Sequence, residues 1–130
     1  MENEKTELGK RGEDAACAYL ISLGHRIAER NWRNSHLELD IISVDAEGLH
    51  IVEVKSRKAP ALIEPQYNVT SRKREKVVRA ALCYLHSEDK KLHAPDAEEV
   101  FFDVISVLFD ECDTKITYFP KAFIPMYYGR

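Results

Sequence analysis

The stretch LELDIISVDAEGLHIVEVKSR, residues 37–57, decides the fold of this chain. Two runs rich in branched apolar residues, 37–44 and 49–57, flank a polar turn that contains glycine. This pattern predicts a β-hairpin. If residues 45–48 form its loop, the numbers of paired residues sum to 93, which places Asp40 opposite Glu53.

The predicted pairing brings two carboxylates together. Opposed residues of antiparallel strands have Cβ atoms about 5 Å apart, and like charges at that distance destabilise the sheet unless they are neutralised. Mg²⁺ commonly binds such converging carboxylates. Lys55 lies two residues after Glu53 and therefore projects from the same face. The alternative is a salt bridge at a sheet edge, between Lys55 and either Asp40 or Glu53.

The neighbouring apolar residues predict which face carries the charges. Ile41, Val52 and Val54 point away from the acids and require a core on the opposite face. Ile42 and Ile51 flank the acids on their own face. Charged groups in so apolar a setting are rarely left unpaired.

The acid pair followed by lysine resembles the signature of restriction-endonuclease-like nucleases of the PD-(D/E)xK type. The chain is similar, more specifically, to the uncharacterised bacterial YraN-like family of predicted nucleases, which resemble Holliday junction resolvases. The matching segments span residues 9 to 104 in order: GKRGEDAA at 9–16, ELDII at 38–42, IVEVKSR at 51–57, Val69-Thr70 with Lys73, Ala81 with Tyr84-Leu85, and FDV at 102–104.

This resemblance implies a mechanism, namely metal-assisted hydrolysis of a phosphodiester bond. Asp40, Glu53 and Lys55 would be the catalytic residues. Mg²⁺ or Mn²⁺ would bind Asp40 and Glu53, helped by the backbone carbonyl of Val54 and by Glu13 as a third carboxylate. Lys55 would orient the attacking water or stabilise charge on the phosphate.

Basic residues are concentrated beside the proposed site. Residues 53–79 carry a net charge of +5, whereas residues 88–113 carry −7 and the whole chain −3. Arg72, Lys76 and Arg79 recur on one face of a predicted helix and could contact successive phosphates. Arg57 and Lys73 are further candidates for phosphate contacts. The expected partner is nucleic acid, and the resemblance favours branched or structured DNA; a homodimer would supply the two sites that cutting two strands needs.

The remaining sequence predicts a single α/β domain over residues 1–130. Its expected core is restriction-endonuclease-like, a mixed β-sheet flanked by helices in the order α-β-β-β-α-β-β. A first helix is expected from about Thr6, its N-cap, to Leu23, with Gly24 as its C-terminal stop. The strongest later strand is 100–109, and residues 87–98 are expected to form a loop. No apolar run approaches the ~18 residues of a transmembrane helix, and the polar N-terminus is unlike a signal peptide. A cytoplasmic protein without membrane contact, its three cysteines reduced, is therefore expected.

Two functional alternatives stay open from the sequence. One is a nucleic-acid-binding module that keeps the fold without turnover. The other is a protein-interaction subunit in which the acids and Lys55 form a buried ion-pair network. The five histidines show no metal-ligand spacing, and His36 and His50, which flank the hairpin, are expected at the surface.

Overall fold

A computed structural model describes residues 6–60 and 71–123 of the chain. The predicted order of helices and strands is confirmed, with one short helix added before the fourth strand. The elements are α1 Glu7–Ser22, β1 Arg26–Asn34, β2 Leu37–Val44, β3 Leu49–Lys58, α2 Ser71–Leu85, α3 Glu88–His93, β4 Val100–Phe109 and β5 Thr114–Phe123. No helix in these two ranges has the length and apolar character that a bilayer span requires.

The five strands form one mixed sheet in the order β1-β2-β3-β4-β5. Strands β3 and β4 are parallel, and the other neighbouring pairs are antiparallel. In the central hairpin Val44 pairs with Leu49 and Ile41 with Val52, so the predicted register is confirmed. Strand β3 is therefore the middle strand of the sheet, antiparallel to β2 on one side and parallel to β4 on the other.

Each face of the sheet packs against a different long helix. Ile42 and Ile51 join the core beneath α2, together with Tyr84 of that helix. Ile41 and Val52 join the core beneath α1. The alternation predicted for the hairpin is thus confirmed, and it assigns the Glu53 face of β3 to the α2 side.

Helix α1 begins and ends where its sequence signals predict. The side chain of Thr6 caps the N-terminus by accepting a hydrogen bond from the amide of Gly9. Leu23 is the C-cap, and Gly24 follows with a φ of +101°, a conformation that glycine adopts without a Cβ clash. The chain can therefore turn sharply into β1.

Helix α3 corrects the prediction of a loop over residues 87–98. Ser87 caps its N-terminus by accepting a hydrogen bond from the Lys90 amide, and Glu88 and Asp89 occupy the first turn, where the helix dipole favours acids. The indole Nε1 of Trp32 donates to Asp89 Oδ2 at 2.8 Å. This contact ties the six-residue helix to β1.

Gly12 of α1 lies against β3. A Cβ at this position would be 1.7 Å from Ser56 Oγ and 2.8 Å from Ser56 Cβ. We expect Gly12→Ala to force the helix away from the strand and to lower the free energy of unfolding by about 1–2 kcal/mol, since overpacking outweighs the gain in helix propensity. Thermal denaturation would show it as a melting temperature lower by roughly 3–8 °C.

The double variant Gly12→Ala/Ser56→Gly is the matched control for this contact. It should be more stable than the sum of the two single substitutions predicts, because it removes the atoms that clash. A Gly12→Ala chain as stable as the native one would contradict the close approach.

Candidate functional site

The two predicted acids stand where the ladder between β2 and β3 ends. The last pair is Ile41 with Val52, and Asp40 and Glu53 are the next residues along each strand. Asp40 is 9% exposed, and its Oδ2 accepts a hydrogen bond from the backbone amide of Val54 at 2.9 Å. The Asp40 carboxylate is therefore fixed against the backbone that joins Glu53 to Lys55.

A cleft of about 210 Å³, which we call the acid cleft, opens at this point between the sheet and α2. Asp40 and Glu53 line one side of it, and Lys73 and Lys76 of α2 line the other. The remaining lining residues are His36, Leu37, Glu38 and Val77. Two acids and two lysines, predicted separately from a hairpin and a helix, thus share one cleft.

The other predicted basic residues are not among those that line this cleft. Lys55 and Arg57 follow Glu53 at alternate positions of β3, so they project from the same face and are partly buried. Arg72 and Arg79 are exposed on α2 and do not line the cleft. The matching pair Val69–Thr70 lies outside the described residues.

Glu13 lies on α1, which packs on the opposite face of the sheet from α2. It is 2% exposed, and its Oε1 is 3.8 Å from Nη2 of Arg30. The close approach of Gly12 to Ser56 brings this part of the helix beside β3, just beyond Lys55. Its role as a third metal-binding carboxylate stays a prediction.

A second polar cluster, which the sequence analysis missed, lies near the hairpin turn on the α1 side of the sheet. His25, Asp45 and His50 each offer one ligand atom, and these atoms all lie within 4.8 Å of one another. His50 is 2% exposed and His25 is 7% exposed, so the expected surface position of His50 is wrong. Its side chain is buried because Asp45 and Asp103 satisfy its two ring nitrogens.

The hydrogen bonds of this His/Asp cluster form a continuous network. His50 Nδ1 is 2.7 Å from Asp103 Oδ2, and His50 Nε2 is 2.9 Å from Asp45 Oδ1. His25 Nδ1 is 2.8 Å from Ser43 Oγ, and His25 Nε2 is 3.4 Å from Asp45 Oδ2. Both imidazole Nε2 atoms therefore converge on one carboxylate.

The network shifts the pKa values of its members in opposite directions. Burial and the neighbouring His50 lower the pKa of His25. Burial alone would lower the pKa of His50, but its hydrogen bonds to Asp103 and Asp45 raise it overall. Burial would raise the pKa of Asp103, but hydrogen bonds from His50, the Tyr118 hydroxyl and the Lys121 amide lower it.

One sequence signal for this cluster was available. Positions that sum to 93 pair Ser43 with His50, and the structure confirms this pair. Two polar residues facing each other inside otherwise apolar strands require partners. Those partners are His25, in the turn after α1, and Asp103, on β4, so spacing along the chain did not reveal them.

Comparison with known proteins shows the family. Residues 12–107 match the model of "Uncharacterised protein family UPF0102". A UPF0102 protein of Bacteroides thetaiotaomicron is 41% identical over 122 residues, which are 94% of this chain and 96% of that protein. A UPF0102 protein of Trichlorobacter lovleyi is 39% identical over 118 residues, 89% of each chain. One of Lawsonia intracellularis is 33% identical over 117 residues, 90% of this chain and 85% of the relative.

The chain therefore belongs to the UPF0102 family. The match covers α1 from Gly12 onward, α2, the central hairpin and most of β4. It includes every residue of the acid cleft and of the His/Asp cluster.

Proposed function

We propose that this member of the UPF0102 family is a metal-dependent nuclease that hydrolyses phosphodiester bonds, with structured or branched DNA as its substrate. The observation that carries the proposal is the composition of the cleft, where Asp40 and Glu53 of adjacent strands face Lys73 and Lys76 of α2. Acids that hold a divalent cation and cations that hold phosphate are the two requirements of such a reaction.

The donor set of the cleft fits Mg²⁺ or Mn²⁺. Both ions prefer oxygen ligands, and Mg²⁺ is typically held by one or two carboxylates while it keeps several waters. Asp40 and Glu53 supply the carboxylates, with the Val54 carbonyl and Glu13 as further candidates. A bound ion would lower the pKa of a coordinated water and offset charge on the phosphate.

Other residues of the chain would orient Asp40, position the attacking water and bind the substrate backbone. The Val54 amide fixes the Asp40 carboxylate through its hydrogen bond, so the acid is oriented before any ion arrives. Lys55, two residues beyond Glu53 on the same face, would orient the attacking water or stabilise charge that develops on the phosphate. Lys73 and Lys76, with Arg57 nearby, would hold the substrate backbone without reading its sequence.

Titration calorimetry with Mn²⁺ and Mg²⁺ tests the metal site. We expect the native chain to bind the ion, and Asp40→Asn and Glu53→Gln each to weaken binding by at least tenfold or to abolish it. A tenfold loss of affinity corresponds to about 1.4 kcal/mol, and removal of a contact between a charged ligand and the ion readily exceeds this value. Both substitutions keep the shape of the side chain. They therefore remove charge with little change in packing.

Glu38→Gln is the matched control, because Glu38 lines the same cleft but forms an ion pair with Arg33. The distance between Glu38 Oε2 and Arg33 Nη2 is 3.5 Å. It should bind the ion as the native chain does. Absence of binding by the native chain, with and without nucleic acid, would overturn the nuclease proposal. Binding of the metal ion without cleavage of any substrate would instead favour the alternative of a nucleic-acid-binding module without turnover.

A further inference from the structure

We infer that the His/Asp cluster is a second metal site, built for Zn²⁺ and separate from the acid cleft. Its ligands would be Nε2 of His25, Nε2 of His50 and a carboxylate oxygen of Asp45, which converge within 4.8 Å of one another. Two imidazole nitrogens and one carboxylate are ligands that zinc accepts and that Mg²⁺ rarely takes.

The separations between the ligand atoms suit a tetrahedral ion. Zinc bonds of about 2.0 Å at tetrahedral angles place neighbouring ligand atoms ~3.3 Å apart. Asp45 lies 2.9 Å from His50 Nε2 through Oδ1 and 3.4 Å from His25 Nε2 through Oδ2. Small side-chain movements would therefore be enough to admit the ion.

Each proposed ligand is held by at least one further hydrogen-bond partner. Asp103 Oδ2 binds Nδ1 of His50, and Ser43 Oγ binds Nδ1 of His25, which leaves both Nε2 atoms directed at Asp45. Asp45 Oδ1 accepts hydrogen bonds from the turn amides of Glu47 and Gly48 at 3.0 and 3.3 Å. Metal-binding histidines and carboxylates are typically oriented by such outer partners.

Asp103 serves as an outer partner and not as a ligand. Its Oδ2 also accepts from the Tyr118 hydroxyl at 2.6 Å, and its Oδ1 accepts from the Lys121 amide at 2.9 Å. The residue is completely buried on β4. Both of its oxygens are thus occupied by protein donors, and it is fixed as the carboxylate of a carboxylate–histidine–metal arrangement.

Asp45 connects the site to solvent. The two histidine side chains are 4% and 3% exposed, whereas the Asp45 side chain is 21% exposed and borders a pocket of about 350 Å³. Four acidic residues and one arginine line this pocket beside Asp45: Glu47, Asp96, Glu98, Glu99 and Arg26. Their net negative charge would draw cations toward the site. A water or an outside ligand could complete the coordination.

The position of the site makes it independent of the proposed nuclease centre. Asp45 follows Asp40 by five residues, about 16 Å along an extended strand, and the cluster lies on the α1 side of the sheet while the cleft lies on the α2 side. A zinc ion here would join the start of β1 to the turn and the beginning of β3. It would stabilise the end of the sheet that carries the hairpin turn.

Titration of the metal-free chain with Zn²⁺ tests this inference. We expect one tightly bound ion per chain, with weaker binding of any second ion to the acid cleft. Asp45→Asn and His25→Gln should each weaken the tight binding by at least about 100-fold, the upper loss reported for outer partners alone. Asp103→Asn should weaken it by about 10- to 100-fold. Two matched controls should bind as the native chain does: His36→Gln, an exposed histidine, and Asp40→Asn, in the acid cleft.

A second measurement avoids any dependence on variants that fold poorly. Co²⁺ bound to the native chain should give the intense visible absorption of a four-coordinate ion, and Zn²⁺ should displace it. Failure of the native chain to bind Zn²⁺, or binding that Asp45→Asn and His25→Gln leave unchanged, would overturn the inference. The cluster would then be a metal-free hydrogen-bond network in which His50 lies between two carboxylates.

Discussion

Lys55→Met should lower the rate of Mg²⁺-dependent DNA cleavage by about 100- to 1,000-fold, the usual loss when one preorganised charge-stabilising donor is removed. Methionine keeps the length and apolar stem of the side chain but removes the ammonium group. Lys55 is not proposed as a metal ligand, so binding of Mn²⁺ should persist. The measurement is the initial rate of phosphodiester cleavage under single-turnover conditions, paired with a calorimetric titration of Mn²⁺.

Lys58→Met is the matched control for this prediction. Lys58 lies on the same strand three residues later, is exposed, and projects from the opposite face. Its substitution should leave the cleavage rate within about twofold of the native value, as surface substitutions away from a site usually do. Equal activity of native and Lys55→Met chains would remove Lys55 from the proposed mechanism and favour its salt-bridge role.

Reversing two charges of the cleft, with Lys73→Glu/Lys76→Glu, should weaken nucleic-acid binding by about 10- to 100-fold at moderate salt. Each phosphate contact releases counterions, so loss of two contacts should also reduce the slope of log affinity against log salt by about 2. Fluorescence anisotropy with a labelled four-way junction, without divalent cations, measures both quantities. Both lysines are exposed and line the cleft beside the acids.

Lys91→Glu/Lys115→Glu changes the net charge of the chain by the same amount at exposed positions on α3 and β5. This control should bind nearly as well as the native chain and keep its salt slope. An equal loss in both double variants would mean that the effect is one of overall charge. Unchanged affinity in Lys73→Glu/Lys76→Glu would place the nucleic acid elsewhere or support the protein-interaction alternative.

Much of the fold was predictable because the central hairpin carries several consistent signals. Its glycine-containing turn fixes the loop, and a one-residue shift of register would turn every apolar side chain to the wrong face. The predicted pair of Val44 with Leu49 follows from this constraint. Thr6 and Gly24 likewise fixed both ends of α1, because capping is a local property of the chain.

The parts that the sequence did not predict depend on contacts between distant residues. Helix α3 is only six residues long and polar, and its contact with Trp32 comes from a strand more than fifty positions earlier. His50 was expected at the surface because Asp45 of the same hairpin can satisfy one of its ring nitrogens, but nothing near it in sequence satisfies the other. Asp103, which does so, is brought beside it by the parallel pairing of β3 with β4.

The candidate site also has parts that local sequence patterns predicted and parts that only the packing of distant elements shows. The alternation of β3 predicted that Glu53 and Lys55 share a face, and helical spacing predicted a basic face on α2. Only the packing of α2 on that side of the sheet shows that Lys73 and Lys76 meet Asp40 and Glu53 at one cleft. The sequence placed Glu13 in a helix, but it did not assign that helix to the opposite face.

The measurement that tests the central claim most directly is the cleavage of a four-way DNA junction by the native chain in Mg²⁺, compared with cleavage by Asp40→Asn. Single-stranded and duplex DNA of the same sequence are tested in parallel. The proposed nuclease predicts cleavage that requires the divalent ion and that Asp40→Asn lowers by at least about 100-fold. No cleavage of any substrate by a native chain that is folded and loaded with metal, or equal cleavage by Asp40→Asn, would contradict it.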